Sequence, residues 1–507
     1  MHGAAGVAGL TALGSSVEII HAQGKKILRT RAYRDLENLD PAYMIGNVDI
    51  ETQMPTMPRL ARVVKEGDFF TWAPTEYMER LEQTDPTRYA FELKPGFMWT
   101  NGYGELTAED VKYSYGRMIG SQYGTGFFNA LDHVEVTGKY SGAIVLKQPE
   151  EAFAVNTIGG DPGCLVCKEA TEAMGGKYTT EIPATCGPYV VKEWMPKQRI
   201  VFARNDEWPG PKPDFDEIQH IVITEAAAAD LAYEAGEIDC TRIAAATLKR
   251  YTENPPPNSK ITIAGYLNYG WLGMNTQHPK LSDIRVRKAI QHAIDTETAV
   301  AAGFGDAAMV SYGVVAPGVP GRRQEKGHSY DPDRARALLN EAGVSGLELD
   351  LKVMNMQERM NVSQVIQANL ADVGIKVNVI PLETGTFWNQ GRESKGDEWK
   401  DLQIYVTRFG TGLVAEASFE WFVKSQIGVW NWERWSDPEF DKLYESLRVE
   451  TDDKKRAETA FRMQEIMEDT GAYVWLWHEP EAFIHPDDIE ISITPTGNMD
   501  LRRFRTL

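Results

Sequence analysis

Cysteine is scarce in this chain, at 4 of 507 residues, and histidine nearly so, at 9. Neither forms a pattern that carries chemistry. Cys164-Leu-Val-Cys167 is accompanied by no second cysteine pair and no histidine pair at zinc spacing. The chain also lacks a Gly-x-Ser-x-Gly elbow, a His-Glu-x-x-His helix and a phosphate-cradling Gly-x-x-x-x-Gly-Lys-Ser/Thr loop. His478-Glu479 is an isolated dipeptide and Gly410-Thr-Gly412 a lone glycine pair. The residues therefore point to no enzyme, no metal and no cofactor.

Positive charge is the next deficit. Lys+Arg number 53 against 73 Asp+Glu, a net charge of −20. That field repels nucleic acid and anionic headgroups, so neither is expected as a partner. Long apolar runs are missing too. Gly3 to Gly14 is small and weakly apolar, well short of the roughly 20 residues a spanning helix needs. It reads as the apolar region of a signal peptide, with Ile20-His21-Ala22 as the cleavage site and a mature chain from about Gln23. A basic stretch ahead of it is absent, and the Gly/Ala-rich core is of the twin-arginine type. No cysteine stands near the end of this segment, so a lipoprotein is not expected. Residues 1–22 are set apart as a signal remnant of an exported, periplasmic protein. In that compartment Cys164, Cys167, Cys186 and Cys240 can form two disulfides, with three pairings open.

What the chain has in quantity is core material, with 42% hydrophobic and 10% aromatic residues over a length that suits two or more domains. Helical and strand periodicities alternate throughout, which predicts an α/β fold. Ile284, Val286, Ala289, Ile290, Ala293 and Ile294 share one face of a helix read over 283–301. Asp331-Pro332 opens a helix that stops at Gly343, and Val362 to Val373 is closed by Gly374 before a strand from Ile375 to Pro381. Asp437-Pro438 and Lys454 begin the last two helices. Strands are read at 26–33, 88–93, 144–146, 189–193, 199–204, 219–223, 347–353, 402–406 and 473–478, with a further strand-like run from Ile489 to Ile493. The economical topology leaves a first lobe near Tyr269, builds a second, and returns near Pro480.

A series of segments then resembles the extracellular solute-binding proteins of family 5, the dipeptide-, oligopeptide- and nickel-binding type. These are Tyr89-Ala-Phe-Glu-Leu-Lys-Pro-Gly96, Trp99-Thr-Asn-Gly102, Leu106-Thr-Ala-Glu-Asp-Val111, Cys186-Gly-Pro-Tyr189, Asn205-Asp-Glu-Trp208 and Ala235-Gly-Glu-Ile-Asp239. Gly273-Met-Asn275, Asp283-Ile-Arg-Val-Arg287 and Ala293-Ile-Asp295 continue them in order. The resemblance implies a two-lobed periplasmic-binding-protein fold (cluster C) with a hinge. It gives a first lobe over 23–268 with an extra subdomain at about 47–161, a second lobe over 269–479, and a return to the first over 480–507. It implies a monomer that captures a small-molecule solute between its lobes and meets the permease subunits of an ABC importer. Peptides, nickel chelates, opines and oligosaccharides are all carried on this scaffold; a chaperone or sensor on the same fold stays open.

Site residues follow from the same resemblance. Arg359, in Met356-Gln-Glu-Arg-Met360, stands where dipeptide-binding relatives hold the peptide carboxylate. Phe387 and Trp388 follow the next strand, and Phe409 lies where relatives carry a tryptophan. Trp430, Asn431 and Trp432 match an Asn-aromatic segment, and Tyr33 follows the opening strand. Peptide-binding relatives anchor the ammonium on an Asp in an acidic loop, where this chain reads Gly412-Leu-Val-Ala-Glu-Ala-Ser-Phe419. Ala415 takes the place of that Asp, which argues against a general dipeptide; Glu416 is the alternative anchor.

Overall fold

The computed structural model describes residues 24–507 except 45, 122, 125 and 180. The signal segment read over 1–22 lies outside the described residues.

Two long strands organise the molecule. Ser259–Met274 and Tyr473–Pro486 pair antiparallel, with register shifts at Ile263/Gly265 and Gly265/Asn268. The chain positions read as lobe crossings, near 269 and 480, both fall on this ribbon. Apolar residues fill the end of each strand nearer the second lobe, where Trp271, Leu272, Met274, Val474 and Leu476 are buried.

Around the ribbon a seven-stranded sheet forms, in the order Thr241–Arg242, Tyr473–Pro486, Ser259–Met274, Ile404–Gly410, Glu348–Met354, Lys376–Leu382, with Met309–Val310 also on Tyr473–Pro486. The last three strands in that order run parallel to one another. Helices Ile284–Ala293, Thr296–Phe304, Pro332–Glu341 and Gln357–Asp372 cover one face, packing Val286, Ile290, Leu338 and Ile366 onto Leu351 and Val406. The opposite face buries an aromatic core that includes Trp271, Tyr405, Trp432 and Trp475. In the first lobe Ile27–Ala32 pairs parallel with Glu217–Val222, and Arg199–Arg204 and Tyr189–Met195 extend that sheet antiparallel. Met78–Asp85, Arg88–Leu93, Ser141–Leu146 and Leu131–Val136 form a separate four-stranded sheet within the stretch read as an extra subdomain. Its helix Ala108–Met118 starts as the sequence requires, the Thr107 N–H donating to the Asp110 carboxylate at 2.9 Å.

Four local expectations are corrected. The helix read over 283–301 is two helices, because Ile294 is extended (φ −100°, ψ 119°) and Asp295 caps the second by accepting from Thr298 N–H at 3.2 Å. The helix read from Val362 begins at Gln357, which moves Arg359 from a loop into a first turn. The strand read over 489–493 is Ile489–Glu490 with a single further bridge at Ile493. The expected disulfides are not formed: Cys164, Cys167, Cys186 and Cys240 are free, buried thiols. Each fills apolar core, and burial pushes the Cys167 thiol up to about 11.

Candidate functional site

Three parallel strands end at one place. Glu348–Met354, Lys376–Leu382 and Ile404–Gly410 all direct their carboxyl ends at a cavity of about 710 Å³, where open α/β sheets gather ligands. Met354 and Met356 come from the first end, Thr384, Trp388 and Arg392 from the second, and Arg408, Phe409 and Gly410 from the third. Trp421 and Trp430, from the segment that follows, close the wall.

The four rings touch one another. Trp388 stacks on Phe409 at 6.0 Å between centroids and 18°. Trp430 meets them edge-on at 6.1 and 5.7 Å, and Trp421 meets Phe409 and Trp430 at 5.8 and 6.0 Å. Behind this layer Phe387 and Trp432 are buried against Trp388 at 5.5 and 5.9 Å. A wall so backed is fixed before a ligand arrives, which lowers the ordering cost of binding.

Two guanidiniums border the rings. Arg392 lies 3.7 Å over the Trp430 ring, its Nε buried without a hydrogen-bond partner among the described residues. Arg408 donates from Nη1 to Asn268 at 3.0 Å, and its Nε is 3.5 Å from the Glu479 carboxylate. Glu479 also accepts from Arg359 Nη2 at 2.7 Å. Against the desolvation that raises it, these two cations hold Glu479 below the usual carboxylate range.

A second cavity, of about 720 Å³, continues from the first across Gly410 and Trp421. Phe127, Glu150 and Asn156 line it opposite Thr411, Glu416 and Glu420. Among the described residues Glu150, Asp161, Glu416 and Glu420 line it against one cation, Arg448. Burial raises Glu150 and pushes Glu420 up to about 7. Glu416 pairs through Oε2 with Arg456 Nη2 at 2.7 Å, while Oε1 has no partner among the described residues.

A family model described as "Bacterial extracellular solute-binding proteins, family 5 Middle" matches residues 76–430. The chain belongs to this family. Among relatives of this solute-binding protein, the dipeptide-binding protein of Escherichia coli K12 is 24% identical over 434 residues, 78% of each chain. Among solved structures, the ABC transporter substrate-binding protein CtaP of Listeria monocytogenes has a TM-score of 0.83 at 19% identity, covering 95% of this chain and 99% of that one. NikA of Brucella suis, in complex with Fe(III)-EDTA, has a TM-score of 0.80 at 22% identity, covering 95% and 100%. These likenesses establish the two-lobed fold.

The family 5 chain distributes the sequence candidates over several environments. Trp388, Phe409 and Trp430 line the first cavity together. Phe387 and Trp432 form the layer behind. Asn431 is wholly buried and donates its amide to the Phe422 and Trp435 carbonyls at 2.9 and 3.0 Å, which fixes the turn between the two tryptophans. Glu416 faces the second cavity. Arg359 has no exposure and stacks on Trp477 at 4.6 Å; its reach to the cavity runs through Glu479 and Arg408. Tyr33 lies in the first lobe, 43% exposed, beside a smaller pocket with Arg31 and Arg242.

Sequence reasoning passed over Arg392, Arg408, Trp421 and the two methionines. Arg408 had a signal: the strand read over 402–406 continues to Gly410, and an arginine next to Phe409 at its carboxyl end meets a cleft. Arg392 sits in an irregular segment without periodicity, and nothing local marked it.

Proposed function

We propose that this family 5 protein captures a small organic solute between its lobes and presents it to the permease subunits of an ABC importer outside the cytoplasmic membrane. The observation that carries this reading is the four-ring wall with Arg392 and Arg408 at its edge. Rings supply large contact area at small entropic cost, and the guanidiniums fix an anionic or hydroxyl-rich end. The register shifts in the crossing ribbon between Ile263 and Asn268 are where we place the hinge, with the lobes bounded near 269 and 480. No helix among the described residues is long and apolar enough to cross a membrane.

The solute we infer is not a general dipeptide. Ala415 is buried and offers no charge, and Glu416 has one oxygen committed to Arg456. An ammonium buried there without a partner costs several kcal/mol. A second reading rests on a specific observation, the unpartnered Glu416 Oε1 at the second cavity, and on a relative named as a dipeptide-binding protein. It makes Glu416 the ammonium anchor of a peptide. A thermal-shift screen of a metabolite library on unfolded and refolded protein tests both, since a ligand at 100 times its Kd stabilises by about 2.7 kcal/mol. The first reading expects hits with a planar or apolar body and an anionic end. Micromolar affinity for several unrelated dipeptides, lost in Glu416→Gln, selects the second.

A further inference from the structure

We propose a second site, separate from the solute cavity: a chamber that holds a tetrahedral oxyanion, phosphate or sulfate, between the first lobe and the returning C-terminal segment. The chamber is about 90 Å³ and is bordered by Arg59, Arg62, Arg502 and Arg503, with Asp161 and Asp500. Water needs roughly 10–15 Å³ on such a measure, so the space takes several waters or one compact anion.

The arginines that border this space have donors short of acceptors. Arg59 is 2% exposed and donates from Nη1 to the Gly160 carbonyl, while its Nε and Nη2 have no hydrogen-bond partner among the described residues. The Cys164 thiol beside it is held neutral by burial and is a weak acceptor. Arg502 is 6% exposed; its Nε and Nη2 clamp Asp500 at 2.7 and 2.9 Å, and its Nη1 has no partner among the described residues.

The charges do not balance either. Asp500 is shared by Arg502 and Arg503, the latter at 3.3 Å. Asp161 accepts from the Asn498 amide at 3.2 Å, and burial raises its pKa. Arg503 also meets Glu76 at 3.6 Å, so Arg59 and Arg62 face Asp161 with one guanidinium in excess. Burial, then repulsion from Arg503, lowers the proton affinity of Arg62. A guanidinium cannot shed its proton at working pH, so the charge buried on Arg59 is relieved by an anion, and water would meet the N–H groups without meeting the charge. A tetrahedral oxyanion offers paired oxygens to guanidinium forks. The chamber shares Gly160, Asp161, Leu413 and Thr496 with the second cavity. An anion there ties the 492–503 segment to Arg59 and Arg62 at the edge of the cleft.

Equilibrium dialysis of the full chain against radiolabelled phosphate, with sulfate as competitor and ionic strength held by sodium chloride, tests this. The expected result is saturable binding of one phosphate, displaced by sulfate. Losing one charge-assisted contact in Arg62→Gln should weaken it about tenfold or more, and Trp388→Ala should leave it unchanged. Arg62 is half-exposed, so its variant keeps the test open even if Arg59→Gln does not fold. Absence of saturable binding overturns the proposal, as does equal affinity in Arg62→Gln. Loss in Trp388→Ala also overturns it, because the phosphate would then sit with Arg392 and Arg408 in the solute cavity.

Discussion

Replacing Arg359 by Met separates support of the site from contact with the solute. The side chain has no exposure, pairs with Glu479 at 2.7 Å and stacks on Trp477. Removing one member of a buried pair strands the other, at a cost of about 3–5 kcal/mol. Glu479 keeps Arg408 at 3.5 Å and 19% side-chain exposure, which places the cost near about 3 kcal/mol. For a lobe of about 200 residues this lowers Tm by about 6–12 °C. The loss depends on pH with a definite sign. Glu479 is depressed in the folded state, so its pairing stabilises above the unfolded carboxylate pKa and is lost as pH falls through the folded value. The gap between wild type and Arg359→Met should therefore narrow below pH about 4.5. Arg408→Gln should do the opposite: its guanidinium is 41% exposed, so stability changes by no more than about 1 kcal/mol while solute affinity falls. Scanning calorimetry from pH 3 to pH 8 and titration with the screened solute read both. An Arg359→Met protein that melts like wild type but has lost the solute would refute the reasoning and put Arg359 in contact with ligand.

Denatured, non-reduced protein should titrate four thiols with Ellman's reagent, matching Cys164, Cys167, Cys186 and Cys240 as free groups; two or fewer contradict the structure. Glu420 holds a proton between pH about 4.5 and 7 that the unfolded chain releases, so stability falls as pH rises through that window. Glu420→Gln should flatten the fall and exceed wild type in Tm at pH 8, and a steeper pH dependence in the variant counts against that environment. Saturating solute should shrink the radius of gyration in small-angle scattering without changing far-UV circular dichroism, because closure moves lobes and not elements; an unchanged radius argues against a hinge in the crossing ribbon.

Much of this was legible in the sequence where periodicity is local. The strand at Arg199–Arg204 and the helix after Asp331-Pro332 match their signals closely, because alternation and capping act within a few residues. The long strand Tyr473–Pro486 was seen only to His478, since its pairing with Ser259–Met274 crosses some two hundred residues and leaves no local trace. In the site, the candidates Trp388, Phe409 and Trp430 come together at one cavity. Arg359 is a candidate through its resemblance to the carboxylate-holding arginine of relatives, and a helix read from Val362 leaves it on a loop, whereas the helix starts at Gln357. Trp421 and Arg392 join the wall only through tertiary packing, and neither composition nor spacing foretells that. The cysteines show the limit of counting: an even number in an exported chain permits pairing, but core positions decide it.

The most direct test of the central claim is calorimetric titration of the screened solute into wild type and the double variant Trp388→Ala/Trp430→Ala. Truncating a buried ring at the centre of an interface costs about 2 kcal/mol or more, roughly thirtyfold in affinity. The account predicts a loss of at least that size with Tm in the absence of solute little changed, since Phe387 and Trp432 still fill the layer behind. An affinity within twofold of wild type would place the solute elsewhere.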